Sequence, residues 1–136
     1  MDLKINIFNE TDNKYLPYKK LKEAITRVFE SENINGINVN LIIADNDFIR
    51  ELNNKYLGHD YVTDVICFPM DEEGLYGEIY ICAQQAEKQA KEYKVSKQEE
   101  LIRLGVHGAL HLVGYEDFTE EQRKEMHRLE NKFIKE

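Results

Sequence analysis

The sequence predicts an α+β fold: a four-stranded mixed β-sheet packed with about five helices, with a central buried helix carrying a pair of histidines. Three observations lead there. Strand-like alternation and helical apolar spacing are interleaved along the chain rather than segregated. One stretch, 97–113, is apolar nearly all round after its first turn, the pattern of a helix enclosed on every side. The chain has 136 residues, 42% of them hydrophobic and 32% charged, which suits a single domain whose core needs no disulfide staples.

The elements follow in order. Residues 3–8 alternate, with Leu3, Ile5 and Ile7 on one side, as in a half-buried strand. Pro17 suits a first helical turn, and Tyr18, Leu21, Ile25 and Val28 place an amphipathic helix over about 17–31. Alternation resumes over 37–43 through Ile37, Val39, Leu41 and Ile43. Asp45 is a candidate cap for a short helix bearing Phe48, Ile49, Leu52 and Tyr56. The polar loop 57–64, LGHDYVTD, precedes a short strand from Val65 to Phe68 that is expected to stop at Pro69. The loop MDEEGLYG leads to a strand around 78–82, and Ala83, Ala86, Ala90 and Tyr93 predict a helix over 83–94. Ser96 and Glu99 form a capping box for the apolar helix 97–113, which Gly114 ends. Thr119 and Gln122 cap a last helix with Met126, Leu129 and Phe133 on one face. The order is β-α-β-α-β-β-α-α-α.

Composition narrows the function classes. No stretch is long and apolar enough to cross a bilayer, so no membrane association is expected. The N-terminus has no basic region followed by an apolar run, so no secretory signal is expected either. Two cysteines, Cys67 and Cys82, read as small buried residues in a reducing cytoplasm; the alternative, thiolate metal ligands, lacks the usual close spacing. The net charge of −8 argues against tight, non-specific coating of nucleic acid, although a local cleft for RNA is compatible with an acidic remainder.

The informative segment is 107–117, HGALHLVGYED. His107 and His111 are four residues apart on a helix, so both imidazoles share one face, one turn apart. Gly114 lets the chain turn back, and Asp117 follows six residues after His111. A site of His107, His111 and Asp117 has three protein ligands and leaves a fourth position open, the arrangement of catalytic rather than structural zinc. The other reading is that the two histidines are core residues bonded to backbone carbonyls. Against it, both sit on an otherwise apolar helix, where a polar side chain needs a partner.

This segment resembles the signature HGxLHLxGYDH of the YbeY family, the bacterial endoribonucleases and ribosomal RNA maturation factors. Leu52-Asn53, Tyr56, Asp60 and Thr63-Asp64-Val65-Ile66-Cys67-Phe68-Pro69 are similar to that family's LNxxYRxxDxPTDVLSFP, and Gly77-Glu78-Ile79 with Ala83 and Gln85-Ala86 to its GDIxIS and following helix. The resemblance covers nearly the whole chain. It implies a single metal-dependent endoribonuclease domain over 1–136, one zinc ion on His107, His111 and Asp117, and a catalytic carboxylate at Glu78. It also implies single-stranded ribosomal RNA as substrate, ribosomal or ribosome-assembly proteins as partners, and roles in ribosomal RNA maturation and ribosome quality control.

Three departures carry consequences. Asp117 stands where the family has its third histidine. Carboxylate oxygen still ligates zinc, but the lower net charge makes a bound water less acidic. Leu57 replaces an arginine that would clamp phosphate bidentately. Glu78 keeps the family's carboxylate one methylene further out. Without that arginine, charge stabilisation falls to the metal or to another cation, and Lys55, His59 and Arg103 are the substrate-binding candidates. His59 supplies a proton or a phosphate contact, or is a plain loop histidine. Lys14, Lys19, Lys20 and Lys22 are a solvated face or an RNA contact, and His127 is expected to be exposed. Two other functions compete. One is a metalloprotease-like hydrolase, opposed by Gly108 where the catalytic glutamate of HExxH would stand. The other is a non-catalytic, metal-stabilised ribosome-assembly module.

Overall fold

In a computed structural model that describes residues 3–34, 36, 38–72 and 75–135, the chain runs β1 (Lys4–Asn9), α1 (Tyr18–Ser31), β2 (Asn38–Ala44), α2 (Asn46–Leu57), β3 (Val65–Glu72), β4 (Leu75–Cys82), α3 (Ala83–Tyr93), α4 (Lys97–Leu112) and α5 (Glu120–Lys135). This is the predicted α+β order with five helices. The four strands lie in the order β1-β2-β4-β3. The pairs β1–β2 and β2–β4 are parallel and β3–β4 is antiparallel, so the sheet is mixed. Ile37, Glu73 and Gly74, assigned above to a strand and a loop, lie outside the described residues.

Strand alternation sorts the two faces. Val39, Leu41 and Ile43 of β2 and Ile79 and Ile81 of β4 join the main core with α1, α3, α4 and α5. Ile42, Ala44, Ile66 and Cys82 point to the other face and pack with Ile49 of α2. Helix α4 lies in the middle of the first layer, against α1, α3, α5 and strands β3 and β4. Two glycines let it sit so deep. A Cβ at Gly108 would stand 2.6 Å from Ile79 Cγ2 and 3.2 Å from Cys67 Sγ, and one at Gly105 would stand 3.1 Å from Leu21 Cδ2 of α1. The missing side chain of Gly108 therefore lets α4 approach the sheet.

Boundaries differ from the sequence expectation where edge and cap effects intervene. β3 does not stop at Pro69: that residue pairs with Gly77, and the register shifts only between Pro69 and Glu72. β3 is an edge strand, where a missing N–H costs no ladder bond. Pro17 precedes α1 as its N-cap rather than lying in its first turn. Asp45 is the N-cap of α2 but makes no side-chain cap; the first N–H, of Asn46, donates to Gln84 Oε1 at 2.7 Å instead. The remaining cap expectations hold. Ser96 Oγ accepts from Glu99 N at 3.0 Å, and Thr119 and Gln122 cap each other's backbone N–H at 3.0 and 3.1 Å. Among the described residues no helix is long and apolar enough to cross a membrane. Both cysteines are free thiols, Cys82 being buried.

Candidate metal centre

The last two turns of α4 carry His107 and His111 on one side of an otherwise buried helix. The chain then reverses at Gly114, whose φ of 109° is open to glycine and strained for other residues. That reversal brings Asp117 back over the helix end. Nε2 of His107 and Nε2 of His111 are 3.1 Å apart, and Asp117 Oδ2 is 3.6 Å from the first and 3.5 Å from the second. Ligand atoms ~2.0–2.1 Å from one tetrahedral ion stand about 3.3 Å from each other. The three donors thus form one face of such a tetrahedron. They are the one group of three or more histidine, cysteine or acidic side chains among the described residues placed closely enough to hold an ion.

Supporting side chains fix the donors. Nδ1 of His107 donates to Glu130 Oε2 of α5 at 2.6 Å, which turns Nε2 toward His111 and Asp117. Glu130 is buried, and its other oxygen accepts from Arg103 Nη1 at 3.0 Å, while the same guanidinium is held by the buried Glu100. Burial works against charge on His107, but the hydrogen bond and charge of Glu130, then the charges of Asp117 and Asp64, prevail and raise its pKa above the ordinary imidazole value. Burial likewise disfavours ionisation of Glu130, yet His107 and then Arg103 hold its carboxyl below the usual range. Arg123 donates to the backbone carbonyl of Phe118 at 2.9 Å, next to Asp117, and so steadies the ligand loop.

The histidines open into a cleft of about 620 Å³, walled by the loop after α2, by Val65, Ile66, Cys67 and Pro69 of β3, and by Glu116, Asp117 and Phe118. The 57–64 loop and β3 form its walls, and the strand of Glu78 contributes none. Glu78 is not brought to the histidines. It points to the opposite face of the sheet, where Tyr80 Oη donates to it at 3.0 Å and Asn40 Nδ2 at 3.4 Å. Arg103 is not a free cation either, being engaged by Glu100 and Glu130. Lys55 stands 5.2 Å above the Tyr56 ring and does not line the cleft. His59 and Leu57 do line it. The lysines 14, 19, 20 and 22 are exposed and lie elsewhere, and His127 is exposed as expected. Burial, then the charges of Asp64 and Asp117, push the Cys67 thiol up to about 12, so it is a neutral part of the cleft wall.

A family model described as Endoribonuclease YbeY matches residues 6–136. The chain belongs to the YbeY family. A relative from Thermotoga neapolitana named Endoribonuclease YbeY is 39% identical over 133 residues, covering 97% of this chain and 87% of the relative. One of the same name from Chloroherpeton thalassium is 33% identical over 129 residues, covering 94% and 92%. The solution structure of TM1509 from Thermotoga maritima superposes with a TM-score of 0.70 at 37% identity, covering 96% of this chain and 87% of that one. The α+β architecture described above is therefore one the YbeY family shares.

Three residues of this YbeY-family chain have supporting roles that the sequence does not announce, although Asn53 stands within a matched motif. Glu130 was readable in principle, as a carboxylate within the apolar stripe of Met126, Leu129 and Phe133. Asn53, 2% exposed, donates from Nδ2 to the carbonyl of Tyr61 at 2.9 Å and anchors the cleft loop. Arg123 lies on a helix face crowded with charges, and nothing in its spacing marks it.

Proposed function

We propose that this chain is a metal-dependent endoribonuclease, a single domain over 1–136, that holds its ion through His107, His111 and Asp117. The observation that carries the reading is the convergence of these donors within 3.6 Å of one another at the mouth of a cleft. It is supported by membership of a family whose model is described as an endoribonuclease. Zinc suits a donor set of two imidazoles and one carboxylate with an open fourth position. When bound, such an ion supplies Lewis acidity and lowers the pKa of water at neutral pH. The protein's share is to orient. Glu130 keeps the His107 proton on Nδ1, Asp117 closes the ligand face, and the 57–64 loop and β3 shape the cleft that receives the phosphodiester. Ribosomal RNA as substrate, roles in its maturation and in ribosome quality control, ribosomal or ribosome-assembly partners and a cytoplasmic location are the finer parts of this proposal.

A metalloprotease-like reading finds no support at position 108, where Gly108 abuts Ile79 and Cys67 and no carboxylate can stand. The non-catalytic assembly module has one observation in its favour. No lysine or arginine is among the described residues lining the cleft. Cleavage of single-stranded RNA by the metal-loaded chain decides between them. The endoribonuclease reading expects turnover that disappears in His111→Ala together with the metal. An assembly module binds metal and cleaves nothing.

A further inference from the structure

We propose that the cleft grips its substrate by the bases rather than the phosphates, with Tyr61, backed by His59, and Phe118 as stacking surfaces for unpaired nucleobases beside the bond to be cut; this rests on the endoribonuclease reading. The charged side chains lining the cleft are Asp64, Glu116 and Asp117, beside three histidines, in a chain of net charge −8. Apart from the ion itself, a cleft so poor in cationic side chains gains little from phosphate contacts. It is rich instead in flat side chains that folding alone does not explain. Tyr61 is 54% exposed and Phe118 78% exposed, and both line the cleft. The His59 imidazole lies parallel to the Tyr61 ring, with centroids 5.2 Å apart and planes at 11°, and Nδ1 is 3.1 Å from Tyr61 Oη. One side of Tyr61 lies against the imidazole, and the residue is still more than half exposed, which leaves ring surface for a base.

The backbone that carries both surfaces is held in place before any ligand arrives. Gly58 ends α2 in the left-handed region, at φ 71°, and turns the chain into the cleft wall. The buried Asn53 then ties down the backbone of Tyr61, and Arg50 pairs with Asp60 through two contacts of 2.8 and 3.3 Å. Phe118, one residue past Asp117, donates its N–H to Gln122 Oε1 at 2.9 Å and accepts from Arg123 at its carbonyl. Pre-ordered aromatic faces lose little entropy on binding. Every base has a π-face, so the grip is tolerant of sequence, but bases stacked inside a duplex have no free face to offer.

Two labelled probes test this by fluorescence anisotropy on the metal-loaded protein: a short single-stranded 2′-O-methyl oligoribonucleotide, and the same chain with its central bases replaced by abasic sites. The wild type is expected to bind the first about tenfold or more tightly over the second, the scale of one or two stacked bases. Tyr61→Ala and Phe118→Ala should each erase much of that difference at unchanged metal content, and Tyr61→Trp should restore it. The salt slope should be shallow, worth about one phosphate contact or fewer. Equal binding of the two probes by the wild type overturns the proposal without recourse to any variant, as does a steep salt slope. Cleavage of ordinary RNA, measured separately, keeps the two readings apart. A wild type that discriminates the probes but cuts nothing retains the stacking surfaces and loses the nuclease. One that cuts but does not discriminate loses only the stacking. Failure to bind either probe removes the base grip altogether.

Discussion

Glu130 Oε2 lies 2.6 Å from Nδ1 of His107, joining the last helix of the fold to the first histidine of the ligand helix. An imidazole tied at Nδ1 presents Nε2 as a lone pair of fixed direction, which is what an ion requires. Glu130→Ala should therefore reduce metal affinity by about 10–100-fold, while Glu130→Gln, which keeps an acceptor for the N–H, should lose less. Competition against a chelator measures both. Equal affinity in Glu130→Ala and wild type would show that the contact is incidental.

Arg103 belongs to the same network, and its substitution should act by the same route. Arg103→Ala leaves Glu100 and Glu130 buried without their shared cation. It should lower the melting temperature and the metal affinity together, with no change in the salt dependence of RNA binding. Lys55→Ala, outside the cleft, should change neither. A salt slope altered by Arg103→Ala would place that guanidinium on phosphate after all.

The pH dependence has a defined sign. In the metal-free chain the raised pKa of His107 means that its charged form is stabilised by folding. That contribution is complete below about pH 6.5 and is lost as pH rises through the raised folded value. Metal needs the neutral imidazole, so metal-dependent stabilisation should change in the opposite sense and grow over the same window. The depressed carboxyl of Glu130 contributes above the ordinary carboxylate range, and that part is lost as pH falls through its folded value. Melting temperatures of metal-free and metal-loaded protein across pH 5–9 should diverge on the alkaline side. A constant gap would contradict the coupling.

Gly108→Ala should be costly for a residue change of one methyl group. The added Cβ would stand 2.6 Å from Ile79 Cγ2, so α4 must lift from the sheet or Ile79 must move. Overpacking of this kind costs roughly 1–3 kcal/mol. Because His107 is the adjacent residue, metal affinity should fall with stability. Gly105→Ala, facing the ends of Leu21 and Ile25 side chains, should be milder. Thermal denaturation with metal analysis on both variants tests the order.

Leu57 lines the cleft and is 49% exposed, so a longer side chain there has room to reach the substrate. Leu57→Arg should raise RNA cleavage by tenfold or more at constant metal content, against a ceiling of ~10²–10³ for one well-placed donor in a transition state. It should also steepen the salt dependence by about one phosphate contact. A neutral or slower variant would mean that Leu57 serves the loop's packing.

Local patterning made the element order and the clustering of His107, His111 and Asp117 legible in the sequence. The apolar girth of 97–113 marked α4 as central, and the spacing of His107 and His111, with Gly114 and Asp117 beyond, marked the donors. What was less legible depends on the tertiary arrangement. Glu78 is one residue from the core position Ile79 and reads like a cleft carboxylate, but strand parity sends it to the other face beside Asn40 and Tyr80. Arg103 reads as a spare cation until the packing of α5 places Glu130 against it. Pro69 reads as a strand end unless the strand is known to be an edge. The anchors Asn53 and Arg123 act on backbone carbonyls eight and five residues away, contacts that side-chain pattern does not encode.

The central claim is that one ion on His107, His111 and Asp117 makes this chain a ribonuclease. Cleavage of single-stranded RNA and bound metal should be measured on the same preparations of wild type, His111→Ala, Asp117→Ala and Asp117→His. Wild type should hold one equivalent of metal and cut RNA, His111→Ala should lose both, Asp117→Ala should lose most of the metal, and Asp117→His should keep it. Undiminished cleavage in metal-free His111→Ala, or full metal binding without His111, would contradict the account.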